Sequence, residues 1–145
     1  MDADFLKDPS NAGHLYQQVG LIFQNSDIQL FNTTVAEELA FGPRQLGLTE
    51  EEIEQRVNDT LALLEIEHLK DRIPYHLSGG EKKLVAIASV LTMNPNVLLF
   101  DEPFNGLSPK YQRLIAELLQ ELKAAGKTMI ISSHHYEQIQ EVIQR

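Results

Sequence analysis

Apolar positions come in short runs along this chain, and polar clusters punctuate them. Val19-Gly20-Leu21-Ile22-Phe23 is an apolar run that stops at Gln24-Asn25-Ser26-Asp27, which predicts a buried strand entering a loop. Thr33 or Thr34 is placed to cap a helix running through Val35, Leu39 and Ala40, with Gly42-Pro43 as its stop. Thr49-Glu50-Glu51-Glu52 is a capping box, and Ile53, Val57, Leu61 and Leu64 follow on one helical face. Ser78-Gly79-Gly80-Glu81 repeats the capping pattern ahead of a stripe of Leu84, Ile87, Ala88 and Leu91, which Asn94-Pro95-Asn96 ends. Val97-Leu98-Leu99-Phe100 is continuously apolar, as in a strand buried on both faces. Ser108-Pro109 opens a long helix whose buried face is Leu114, Ile115, Leu118, Leu119 and Leu122, with Gly126 as its C-terminal cap. Thr128 to Ser132 reads as a third buried strand and His135 to Ile143 as a closing helix, whereas Met1 to Gln18 is polar without clear periodicity.

This order implies an α/β domain with a parallel sheet and a helical insertion between the first two strands. At 145 residues, 43% of them apolar, the chain fits one domain with a real core. A formal net charge of -9 argues against nucleic acid as a partner, so any anionic ligand must be held by local devices such as helix N-termini. Without Cys there are no disulfides or thiolate metal sites. No apolar run approaches membrane-spanning length and no basic-then-apolar leader opens the chain, so the expectation is a soluble cytoplasmic domain.

Asp101-Glu102 ends the most apolar strand, and ligands of open parallel sheets sit at the carboxyl ends of strands. One carboxylate at such a place can hold magnesium through water, and the next can orient an attacking water for phosphoryl transfer. The bland alternative is two solvated acids before a Pro turn. Two further strand ends weigh against coincidence, because the first strand runs into Gln24 and the third through Ser133 into His134. Ser78-Gly79-Gly80 carries two compatible readings, an N-cap and a phosphate site whose glycines permit close approach. The phosphate-loop pattern G-x-x-x-x-G-K-[ST] matches nowhere in the chain. Gly126-Lys127-Thr128 imitates its end, but it follows a helix and precedes a strand, the reverse of a phosphate loop.

With these residues together, the sequence resembles an ATP-binding cassette (ABC) ATPase, the motor subunit of membrane transporters. Leu77-Ser78-Gly79-Gly80-Glu81 resembles the signature motif, Val97 to Pro103 the Walker B strand, Phe23-Gln24 the Q-loop and Ser132-Ser133-His134 the switch-histidine loop. Asn25 to Phe31 and Ala40 to Pro43 resemble the cobalt/nickel and energy-coupling-factor vitamin importers. The resemblance implies a P-loop NTPase (RecA-like) parallel sheet, incomplete here, with the family's helical subdomain inserted. Residues 19–27 would be the Q-loop strand and loop, 28–95 the helical subdomain with the signature, and 96–145 the Walker B, D-loop and H-loop part of the core.

It also implies ATP and Mg2+ as ligands, with Asp101 and Gln24 on the metal, Glu102 as general base and His134 on the γ-phosphate. Ser78, Gly79 and Gly80 would clasp the γ-phosphate of an ATP bound to a second subunit in a head-to-tail dimer. The helical subdomain would dock on a transmembrane partner, placing the protein at the inner face of the cell membrane. Several positions depart from the family pattern. Ser108 stands where the D-loop has Asp, Phe104 and Asn105 replace small residues, Lys83-Leu84 replaces Gln-Arg, and His135 replaces an acid. The family's phosphate loop would lie upstream of Met1 here, and its adenine-stacking β subdomain is expected to be absent or reduced to fragments in Met1 to Gln18. Hydrogen bonds to charged groups contribute about 1.5–3 kcal/mol each, so a chain without the loop is expected neither to bind ATP tightly nor to hydrolyse it alone. Three readings stay open at this point: a truncated ATPase subunit, a non-catalytic module lending its signature in trans, and a nonfunctional gene remnant.

Overall fold

The computed structural model describes residues 19–22 and 33–132. Strands β1 (Val19–Ile22), β2 (Val97–Asp101) and β3 (Thr128–Ser132) form one sheet in the order β1-β2-β3. Both pairings are parallel, with Val19 opposite Val97, Ile22 opposite Phe100, and Asp101 opposite Ser132. Parallel neighbours require crossovers. Helices α1 (Val35–Gln45), α2 (Glu50–Leu63) and α3 (Gly79–Leu91) lie between β1 and β2 in the chain, and α4 (Pro109–Ala124) between β2 and β3. This is the expected α/β arrangement with a helical insertion. Among the described residues no helix is long and apolar enough to cross a membrane.

Helix boundaries follow local chemistry. Thr34, Thr49, Ser78 and Ser108 each accept an N-terminal amide through the side-chain oxygen, and Thr49 and Ser78 form complete capping boxes with Glu52 and Glu81. At the other end of α4, the amide of Gly126 (φ 85°) donates to Lys123 O and that of Lys127 to Leu122 O. That pair of bonds is a Schellman cap, which uses the left-handed conformation open to glycine. Gly126-Lys127-Thr128 is therefore a helix stop, and the Lys127 ammonium donates to Asn94 Oδ1 at 2.7 Å.

Gly42-Pro43 does not stop α1, contrary to expectation. The helix continues to Gln45, with Pro43 inside it and buried. Packing explains the glycine better: a Cβ on Gly42 would stand 2.8 and 2.9 Å from Met93 Cγ and Sδ. The chain turns at Gly47, where φ is 81°.

The core lies between one face of the sheet and the helices. Leu39 of α1, Leu61 of α2, Leu84 and Ile87 of α3, Leu98 of β2 and Ile115 of α4 are all at most 1% exposed. Helix α3 is buried over most of its circumference, with every residue from Lys83 to Ala88 inside, while Leu91 and Leu114 are only half-buried. The strands differ from the expectation of burial on both faces. In β2, Leu98 and Phe100 are buried and Val97 and Leu99 half-buried. On the face of Leu99, Val19, Leu21 and Ile130 are exposed, Ile130 by 59%. Side chains alternate across a strand, and among the described residues a helical layer covers only the Leu98–Phe100 face.

Candidate functional site

The carboxyl ends of the three strands meet at one edge. Asp101 and Ser132 are partners in register, and Ile22 pairs with Phe100 one residue short of them. Gln24 and His134 each follow a strand by two residues and lie outside the described residues, as does the segment after Ser132. A hollow of about 340 Å³ opens at this edge on the uncovered face, with Leu21, Leu99, Ile130, Asp101 and Ser132 among its walls.

Asp101 is exposed and Glu102 is 7% exposed, so neighbouring carboxylates occupy opposite environments. The backbone at Glu102 adopts φ 51°, a left-handed conformation that costs a non-glycine residue about 1–3 kcal/mol. Several bonds hold it there. The Glu102 amide donates to Ser132 O at 2.7 Å, and its carbonyl accepts from the Asn105 amide at 3.2 Å. The Lys83 ammonium donates to the same Glu102 carbonyl and to Asn105 O at 3.0 Å. Phe104, a departure from the family pattern, is fully buried at 0% exposure. It extends the core beneath the turn.

Lys83 is the residue that motif reading undervalued. It is 4% exposed. Burial lowers its pKa below the ordinary lysine value, while the charges of Glu102 and Asp101 oppose that shift. A signal was present in the sequence, since Lys83 begins a stretch, Lys83 to Ala88, otherwise made of apolar residues on a capped helix. A lysine there cannot reach water easily and needs internal acceptors.

The second set of site residues opens α3. The Ser78 hydroxyl accepts from the Glu81 amide at 3.2 Å, and Glu81 Oε1 accepts from the Ser78 amide at 2.9 Å. The amides of Gly79 and Gly80, in the first turn, lack intrahelical acceptors by helix geometry. The two glycines differ in surroundings. A Cβ on Gly80 would meet the Tyr111 ring at 3.0 and 3.2 Å, whereas one on Gly79 would meet nothing within 4 Å among the described residues. Packing inside the chain thus accounts for Gly80 and leaves Gly79 facing outward.

Magnesium takes one or two carboxylates when phosphates and water supply its other ligands. Exposed Asp101 beside Glu102 fits that demand. Among the described residues no group of three or more acidic or histidine side chains forms a cage of its own.

The comparisons with known proteins agree with this fold. A family model described as ABC transporter matches residues 2–105. The chain is 56% identical over 141 residues to the nickel import ATP-binding protein LarO of Lactiplantibacillus plantarum, covering 97% of this chain and 58% of that protein. It is 48% identical over 129 residues to the energy-coupling factor transporter ATP-binding protein EcfA of Methanothermobacter thermautotrophicus, covering 89% and 42% respectively. Among solved structures, cbiO1 of Clostridium perfringens, part of the transporter complex cbiONQ, superposes with a TM-score of 0.81 at 40% identity. That match covers 93% of this chain and 54% of cbiO1. The chain thus spans about half the length of the relatives it matches. It belongs to the ABC transporter family of ATP-binding proteins.

Proposed function

We propose that this chain serves a nickel/cobalt or energy-coupling-factor type importer, lending its signature motif to ATP held by a second ATPase subunit. Ser78, Gly79 and Gly80 bind the terminal phosphate in a head-to-tail pair, through the free first-turn amides of α3 and the positive end of its dipole. The observation that carries this reading is the open ground in front of Gly79, for which packing among the described residues gives no reason. Relatives support the transport class by name, since LarO is a nickel import protein and EcfA an energy-coupling factor protein. A dimeric ATP-binding cassette bound to ADP and Pi, 27% identical with a TM-score of 0.77, supports a paired arrangement.

Exposed Asp101 at the sheet edge and Gln24, two positions after β1 in the sequence, are the residues suited to magnesium. Glu102 orients water as general base, and His134 donates to the γ-phosphate. Residues 28–95 contact the transmembrane subunit at the inner face of the membrane. Alone, the chain is expected to bind Mg-ATP weakly and not to turn it over, because its sequence has no phosphate loop.

Mixing tests the trans reading. Adding this chain to a complete relative such as the L. plantarum nickel import subunit should raise ATP hydrolysis per complete subunit. Gly79→Asp, which sets a carboxylate against the phosphate, should remove the increase. No increase with the wild-type chain, or an equal increase with Gly79→Asp, overturns it.

A further inference from the structure

Lys83 stands one helical turn beyond Gly79 on α3, and its ammonium reaches out of that helix to the turn after β2. Both of its acceptors are backbone carbonyls of that turn, Glu102 and Asn105. The Glu102 carbonyl is shared with the Asn105 amide, and the Glu102 amide is tied to Ser132 on β3. The turn is therefore fastened to the sheet through the Glu102 amide and to α3 through the lysine. A residue needed only for packing at a 4% exposed position would be apolar, since a buried ammonium loses its hydration and demands acceptors. The Tyr111 ring of α4 also closes on Gly80, three residues before Lys83 and on the same side of α3, so the start of the helix is held by α4 as well as by the lysine.

We propose that Lys83 is a positioning residue that joins the start of α3 to the Glu102 turn, so that contact at Gly79 is felt at Glu102. This rests on the proposed role of Gly79 for its second half, the response to a partner, but not for the first, the joint itself. The lysine contributes no group to a substrate. It fixes the backbone from which the Glu102 carboxylate projects, through the carbonyl of that same residue.

Amide hydrogen exchange on the full chain, resolved by residue, separates the two halves. In the free chain, Lys83→Met keeps the stem and removes the donors. Exchange at Glu102 and Asn105 should quicken by about tenfold or more, as loss of a hydrogen bond to a charged group yields. The α3 amides from Ile87 to Val90 should stay unchanged. Lys83→Arg, which keeps donors and charge, should restore slow exchange at Asn105 and provides the comparison if the Met variant does not fold. Unchanged exchange at Glu102 and Asn105, or an equal rise throughout α3, overturns the joint.

Adding the L. plantarum nickel import subunit with Mg-ATP tests the response. Wild type should gain protection both near Gly79 and at Glu102 and Asn105, and Lys83→Met near Gly79 only. Protection at both places in Lys83→Met overturns the transmission. Absence of protection near Gly79 in wild type instead overturns the proposed function, and the free-chain comparison still decides the joint.

Discussion

The Tyr111 ring lies over Gly80, with Cδ2 and Cε2 at 3.0 and 3.2 Å from where a Cβ would stand, while the adjacent Gly79 looks onto open space. Two glycines that are equivalent in a motif are thus different in the fold. Gly80→Ala must displace the ring, and crowding of this kind outweighs the gain in helix propensity, for a net loss of about 1 kcal/mol. Gly79→Ala meets nothing and restricts the unfolded chain, which should add about 0.4–1 kcal/mol. Urea unfolding of the two variants checks the opposite signs. Equal effects would remove the distinction.

Gly20 marks another close approach. A Cβ there would stand 2.4 Å from Val90 Cγ1 and 3.0 Å from Leu98 Cδ2, so β1 rests directly on α3. Gly20→Ala should cost about 1–3 kcal/mol by overpacking. Val90→Ala in the same chain should recover part of that loss, because it removes the nearest atom. A double-mutant cycle measures the coupling, and strictly additive losses would contradict the contact.

Phe104 replaces a small residue of the family pattern, yet it is fully buried under the Glu102 turn. Its truncation to Ala should destabilise the chain by about 3–5 kcal/mol, the range for large aromatic core residues. A loss below 1 kcal/mol on thermal or urea unfolding would mean that the turn does not depend on it.

Lys127 donates to Asn94 Oδ1, and burial lowers its pKa below the ordinary lysine value of 10.5. Below the lowered value both folded and unfolded chains carry the proton, and the cost of burying it is constant. As pH rises from there towards 10.5, the unfolded chain holds more protons than the folded one, so this group adds stability. Wild type should therefore gain on Lys127→Met as pH climbs from neutral into that window. Chemical unfolding at several pH values reads the difference, and a flat or falling one contradicts the shift.

Much of this fold was written locally. Thr49 and Ser78 opened their helices as capping boxes, and Gly126 closed α4, because caps depend on residues within a few positions of one another. Run lengths and apolar spacing gave the element order, and the parallel sheet followed from helical crossovers. Asp101-Glu102 at a strand end was readable for the same reason. Gly42-Pro43 misled, since its glycine answers to Met93, some fifty residues away in the chain.

Tertiary structure decided what no local pattern contains. Leu99 and Ile130 look as apolar as Leu98 and Phe100, but among the described residues helices cover only the Leu98–Phe100 side of the sheet, and the exposures differ. Lys83 and Lys82 are neighbours of one kind, yet one ammonium is buried against Glu102 and Asn105. The sequence by itself determined the family, the caps and the order of strands and helices, because these rest on short-range chemistry. Which glycine is left facing outward, and which lysine holds the carboxylate turn, depended on distant segments meeting in space.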